Sequence, residues 1–444
     1  MQVNLSYKQI ITIAGPICLA LILPQINHMT NAAFLGHLGE FPFAVNGIAG
    51  IYYLVMHMIS YGLNNGLQVL FARRAGEMNY GGMGPIFSNG FFLAVIFSLF
   101  AILFTYTVSP AFFSATLHDP AIRDAATGFV RIRIWGLPFL MLMSLCNAFY
   151  IGTGNTRLLA ITSIFQEIAN ITLDYGFIFG KLGLPALGLN GAAYASVIAE
   201  MIGFTAAYCL LFGLRFHARF RLFERFRPEW TAIKNILTIS APLIVQFLFS
   251  IGSWLVFFIF IEHLGQRPLA VSNMMRSVFG LFGIFTWALA STCNTMVSNL
   301  IGQGREEDVL QLVKRIAGMA FLCAASVCLL INLFPYQLLR IYTDDATLIT
   351  EAIPSIRVCT LVMLLSAMTA ITFNGVTGTG NTRINLLIEF AAVAVYLTYC
   401  VVVIEKWRSA LHWAWGAEFV YWSAMGGLAW LYLRSGRWKG KKLA

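Results

Sequence analysis

Apolar residues run in long, nearly unbroken stretches, interrupted at intervals by charged and Gly/Pro-rich punctuation. Breaking the chain at that punctuation gives twelve segments, approximately 10–36, 43–72, 85–110, 121–152, 157–181, 189–214, 235–262, 268–300, 308–334, 347–378, 383–404 and 412–434. Each has the roughly 20 residues that a helix rising 1.5 Å per residue needs to cross about 30 Å of hydrocarbon. The runs are too long and too uniformly apolar for barrel strands, and backbone N–H and C=O groups in lipid require partners within the segment. The pattern therefore predicts an all-α integral membrane protein with twelve transmembrane helices. MQVNLSYKQI, the opening stretch, has no basic n-region and no small-residue cleavage site, so the first segment is expected to remain as a span.

The same pattern is written twice. GTGNTR occupies 152–157 and again 378–383, an offset of 226 positions. At that offset Thr12-Ile13 and Pro16 fall on Thr238-Ile239 and Pro242, His37-Leu38-Gly39 on His263-Leu264-Gly265, Asp119 on Asp345, and Arg131 on Arg357. With six segments in each half, the repeat is parallel, and a pseudo-two-fold along the membrane normal is expected. This gives an N-terminal six-helix bundle over 1–214, a basic linker over 215–234 and a C-terminal six-helix bundle over 235–444. Each GTGNTR falls where an even segment turns back, with Gly permitting positive φ and Asn-Thr offering a cap for the next helix. Two facing bundles that open alternately to either side form the architecture of secondary transport.

Composition agrees: of 444 residues, 59% are hydrophobic and 11% charged, far below the roughly 25% charged of soluble domains. The net charge of +10 is a matter of orientation. Assigning Lys and Arg to alternate sides puts 19 of the 29 on one side, the side of both termini, which is therefore expected to be cytoplasmic. The basic stretch RFHARFRLFERFRP at 215–228 reads as a linker lying against anionic headgroups rather than a nucleic-acid site. The eight cysteines form no CxxC pair and read as small core residues. No GxxxxGK[ST] loop is present to bind ATP, so energy would come from an ion gradient.

FLGHLG at 34–39, NITLDYGF at 170–177, LNGAAYASVIAE at 189–200 and the paired GTGNTR turns resemble the multidrug and toxic compound extrusion (MATE) transporters, most closely their DinF-type branch. The resemblance extends over essentially the whole chain. It implies an antiporter, monomeric in the inner (cytoplasmic) membrane, that exports amphipathic, often cationic compounds against inward H⁺ or Na⁺ flow and needs no cofactor. Carried over by motif, the resemblance assigns ion coupling to Asp174, Asn170, Ser196 and Ala192, with Asp174 and Asn170 as the Na⁺ ligands if sodium is the coupling ion. The first-helix acid usual in DinF-type members falls on Asn31, a departure. The acid of the NorM branch falls on Ser250.

Physical chemistry supports attention to the acids, since a lone carboxylate in hydrocarbon costs about 2.5–3.5 kcal/mol. Asp174 can hold a cation with two hard oxygens or take up a proton. Asn170, at i−4, shares its helical face, as does Glu167 at i−7. Asn31 contributes an amide oxygen or an interhelical hydrogen bond. Glu167, Glu200 and Glu389 are candidates for a carboxylate network or for attracting a cationic substrate, with Glu418 a further acid of the second half. Pro16 and Pro24 are expected to interrupt the first helix, making it a moving part. Two other functions are weighed. A lipid-linked precursor flippase needs a basic cleft, for which Arg131, Arg133, Arg276 and Arg357 are the candidates. A membrane-embedded enzyme needs clustered catalytic groups, but the seven histidines are scattered and HExxH is absent.

Overall fold

The computed structural model describes residues 2–224 and 226–441. Arg225 of the basic linker and Lys442 of the basic tail lie outside the described residues. Among the described residues the chain is helical, without strands. Twelve long helices coincide with the twelve apolar segments to within a few residues: α1 Tyr7–Leu38, α2 Glu40–Gly76, α3 Met83–Thr116, α4 Pro120–Gly152, α5 Thr156–Phe179, α6 Leu189–Gly213, α7 Trp230–Glu262, α8 Gln266–Gly302, α9 Glu306–Leu333, α10 Ala346–Gly378, α11 Thr382–Lys406 and α12 Leu411–Ser435. All but α5 and α12 contain a stretch long and apolar enough to cross a membrane, by length and composition. Those two have 24 and 25 residues, about 36 Å of helix, and carry acids in mid-helix.

α1 continues unbroken through Pro16 and Pro24, contrary to the expected interruption. α4 passes through a 3₁₀ turn at Ile134–Gly136, and α11 ends in a π turn at Val401–Lys406.

Chain contacts divide the molecule into two units, one of residues 15–240 and one of residues 2–14 with 241–444. The two cuts, at 14/15 and 240/241, are themselves 226 positions apart and fall inside α1 and α7, just ahead of Pro16 and Pro242. The division thus lies within helices and not at the linker, because the opening stretch of each repeat packs into the other repeat's unit. In the second unit, Val3 N–H donates to Asn299 Oδ1 (3.1 Å) and Arg315 donates to the Leu5 carbonyl (2.7 Å). In the first, Glu229 N–H donates to Asn89 Oδ1 (2.8 Å) and Ser240 Oγ to the Leu63 carbonyl (3.2 Å). Asn89 and Arg315 are equivalent positions of the repeat, each holding an incoming chain.

The linker is also more than a headgroup-facing strap. Phe220 and Leu222 are buried, Ser88 Oγ donates to the Leu222 carbonyl (2.7 Å), and Phe220 meets Tyr80 and Phe149 edge-on at 5.2 and 5.1 Å. Phe223 stacks on Phe212 at 5.5 Å. Phe220 and Leu222 belong to the first unit's core, whereas Arg215, Arg219, Arg221 and Arg227 are exposed.

The repeated hexapeptide now has a physical explanation. Gly154 and Gly380 adopt φ of 76° and 81°, a region that a Cβ disfavours by roughly 1–2 kcal/mol. Gly152 and Gly378 permit close approach of neighbouring helices. A Cβ at Gly152 would lie 2.6 Å from Phe71 Cβ and 3.1 Å from the Gln68 carbonyl; one at Gly378 would lie 2.8 Å from Val297 Cβ and 2.6 Å from the Asn294 carbonyl. Phe71/Val297 and Gln68/Asn294 are again 226 apart, so the same contact is built twice. The anticipated Asn-Thr cap is not used: neither Asn155 nor Asn381 caps through its side chain. Asn155 Nδ2 donates to Thr153 Oγ1 at 3.0 Å, and Asn381 Nδ2 to the Tyr432 hydroxyl. Capping by the repeat falls instead to Asp119 and Asp345, which accept from the N–H groups of Ala121 and of Thr347 and Leu348. The Thr347 hydroxyl and the N–H groups of Leu348 and Thr347 hold the exposed Asp345 carboxyl below its ordinary value.

Replacing Gly152 or Gly378 with Val is expected to destabilise its unit by about 1–3 kcal/mol through overpacking. Thermal unfolding of the purified variants checks this, and an unchanged midpoint for both would contradict the close-contact account.

Candidate functional site

The helix following the first GTGNTR turn places its polar residues on one face. In α5, Glu167, Asn170 and Asp174 are 4%, 5% and 0% exposed, at spacings of three and four residues. A small-residue contact sets what lies opposite. Gly191 of α6 is so close to α5 that a Cβ there would lie 2.6 Å from the Phe177 carbonyl. This approach brings Ser196 to Asn170, whose Nδ2 donates to Ser196 Oγ at 3.4 Å. From α1, Asn31 Nδ2 donates to Asp174 Oδ2 at 3.2 Å, and the Asn27 side chain, one turn earlier, lies beside Glu167.

The atoms left over characterise this site. Asp174 Oδ1, Glu167 Oε2, Asn170 Oδ1, Asn31 Oδ1 and Asn27 Oδ1 are all buried without a hydrogen-bond donor. Among the described residues no Lys, Arg or His forms an ion pair with Asp174 or Glu167. Every unpaired atom of this set is an oxygen acceptor, two from carboxylates and three from amides. A buried acceptor without a donor carries its full desolvation cost, about 1–3 kcal/mol and more for a charged group. Only a cation, or donors brought by water or protonation, can meet several such atoms at once, and hard oxygens of this kind suit Na⁺.

Of the residues expected at the site, Asp174, Asn170, Asn31, Ser196 and Glu167 come together. Ala192 lies in an adjoining apolar cluster with Leu35, Val45 and Ile178, where its side chain contributes packing. Glu200 does not join the free oxygens. Arg133 donates to both its oxygens (2.8 and 2.6 Å), Tyr53 donates to it as well (3.1 Å), and the guanidinium lies 3.8 Å over the Tyr53 ring. Its charge is neutralised, which removes it as an attractor of cationic substrates, and Arg133 is correspondingly committed rather than free for a phosphate. Glu389 lies in the second unit, where Tyr421 donates to it at 2.7 Å. Sequence reasoning passed over Asn27, although a second amide at i−4 from Asn31 in an apolar helix was the available signal.

Twelve helices in two units of one repeat, with buried, unpaired acids inside, define a multi-pass membrane transporter. The profile of the MatE family matches residues 16–176 and 242–402, two stretches that start and end 226 positions apart, and the chain belongs to that family. It is 25% identical over 438 residues to the probable multidrug resistance protein NorM of Thermotoga maritima, covering 97% of this chain and 93% of that one. Multidrug resistance protein MdtK of Photorhabdus laumondii is 22% identical over 390 residues, with 87% and 84% covered. A solved MOP superfamily transporter from Pyrococcus furiosus has the same fold, with a TM-score of 0.88 at 17% identity over 96% of this chain and 95% of that one. The chain is accordingly a transporter and not an enzyme.

Removing one partner of the buried Arg133–Glu200 pair is expected to cost about 3–5 kcal/mol, because a charge is left uncompensated. Glu200→Gln and Arg133→Met should each lower the thermal midpoint strongly, and the double replacement Arg133→Met/Glu200→Met should recover much of the loss. A double variant no more stable than either single one would remove the pairing account.

Proposed function

We propose that the protein is a multidrug efflux antiporter of the cytoplasmic membrane, acting as a monomer with both termini inside. It exports amphipathic, often cationic compounds by alternating access, driven by cations entering through the Asp174 site. The observation that carries this reading is the set of five buried oxygens without donors around Asp174. Neutral amide oxygens do not take up protons, so three of them beside two carboxylates favour Na⁺ as the coupling ion, with H⁺ at Asp174 the second reading. The names of the NorM and MdtK relatives support the substrate class. Ser250, standing where the NorM branch has an acid, supports a DinF-type assignment, and Asn31 sets this chain apart within that branch. The flippase reading is weakened by the commitment of Arg133 to Glu200.

In this mechanism, a cation entering from outside completes its coordination with Asp174, Glu167 and the amides, and the carboxylate charge is neutralised inside the bundle. Neutralisation alters which arrangement of α1 against α5 is favoured, since Asn31 then exchanges its bond to Asp174 for a shared ligand. A substrate and the cation thus bind preferentially to different states, which is the condition for antiport.

Proteoliposomes with Na⁺ and pH gradients imposed separately test the coupling. Asp174→Asn is expected to reduce gradient-driven export of a cationic dye to background, and wild-type export should follow the Na⁺ gradient. At Na⁺ about 100 times its dissociation constant, the wild type should gain roughly 2.7 kcal/mol of stability, which Asp174→Asn should not. Asn31→Asp, by adding a second carboxylate on α1, should alter the ion dependence. Full export by Asp174→Asn would remove the site from the mechanism.

A further inference from the structure

The second unit holds two acids of its own, arranged reciprocally between α11 and α12. Glu389 of α11 accepts from Tyr421 of α12 at 2.7 Å, while Glu418 of α12 accepts from Tyr396 of α11 at 3.0 Å. The two phenol rings pack 5.5 Å apart. Glu418 is satisfied at both oxygens, since Trp422 Nε1 donates to the other at 3.1 Å. Glu389 is not: it is 0% exposed, and its Oε2 has no hydrogen-bond partner. Neutral Ser250 and Gln246 of α7 flank its carboxyl group, and Ser250 Oγ lies 3.3 Å from the Tyr421 hydroxyl. The titratable groups facing it are Tyr421, Glu418 one turn away on α12, and Tyr396 on its own helix. Among the described residues no Lys, Arg or His forms an ion pair with either acid.

We propose that Glu389 is a proton-binding site of the second unit, separate from the Asp174 site, so that the transporter loads a proton on one unit in addition to the cation on the other. The proposal extends the coupling reading above. The geometry distinguishes the two occupants. The Asp174 cluster offers several bare oxygens from carboxylates and amides, the ligand set a metal cation takes, whereas here a single carboxylate oxygen is bare and its neighbours are two hydroxyls and one amide. A proton on Oε2 converts that bare acceptor to an O–H donor, with Ser250 Oγ or the Gln246 amide oxygen available to accept, while Oε1 keeps its bond from Tyr421. No metal and no second carboxylate is needed. Glu418, with both oxygens already receiving donors, is held as structure and positions Tyr396 against Tyr421.

The test reads the carboxyl group itself and needs no substrate or gradient, so it is separable from failure of the efflux reading. Infrared difference spectra between acidic and alkaline conditions on the reconstituted full chain should contain a protonated-carboxyl C=O band that disappears with rising pH. Glu389→Gln should lose that band and Asp174→Asn should keep it. Tyr421→Phe, which retains the acid and the ring, should move it to higher wavenumber, because the carbonyl loses its donor. Addition of Na⁺ at constant pH should leave it unchanged. An identical spectrum in Glu389→Gln, an unmoved band in Tyr421→Phe, or loss of the band on adding Na⁺ would each overturn the proposal, the last by making the site one for a metal cation.

Discussion

A negative charge buried in an apolar helix has to be met by something, and the first unit meets it in two different ways. Glu200 is neutralised permanently by Arg133 and Tyr53, through two short charge-assisted bonds and a stacked ring. Asp174 receives one amide donor, Glu167 lies beside the Asn27 amide, and both are otherwise left with bare oxygens among bare amide oxygens. The first arrangement is self-sufficient and suits a fixed strut. The second leaves acceptors that a cation, a proton or water could each satisfy, and such incompleteness is what the proposed transport role requires, since an acid with a permanent partner has nothing to exchange.

The repeat supplies the frame that sustains this incompleteness. Glycines at the ends of α4 and α10 allow those helices to contact α2 and α8 almost backbone to backbone, in the same register in both units. Such contacts are worth more in lipid than side-chain burial, because lipid tails offer apolar surroundings to any exposed side chain and only close packing separates the folded state from its alternatives. The crossing of α1 and α7 between units ties the division of the molecule to the two helices that contain Pro16 and Pro242. α1 also carries Asn27 and Asn31, so the helix that begins in one unit delivers amides to the buried acids of the other.

Much of this was legible in the chain. The twelve helices follow from run length alone, and the 226-residue offset reappears in the positive φ of Gly154 and Gly380, the Asp119 and Asp345 caps and the two cuts between units. Asp174, Asn170 and Glu167 shared a face on helical spacing, and the structure keeps them there. Three features were not legible. The linker's arginines advertised a surface, but whether Phe220 and Leu222 turn inward depends on a receiving patch formed by Tyr80 before α3, Ser88 of α3 and Phe149 of α4. The commitment of Glu200 depends on Arg133, 67 positions earlier. The continuity of α1 through two prolines was obscured because neighbouring helices can support backbone groups that proline leaves free.

Sequence by itself determined where the chain crosses the membrane, that it does so in two copies of one pattern, and which few acids lie in hydrocarbon. These are local matters: span length, period and the rarity of charge in apolar runs are properties of consecutive residues. Only the tertiary structure decided which acids are neutralised and which are left waiting, because a carboxylate's state depends on the atoms within hydrogen-bond reach, and those come from other helices. Glu200 and Asp174 look alike along the chain; the arrival of Arg133 at one and of Asn31 at the other is what separates a strut from a candidate ion site.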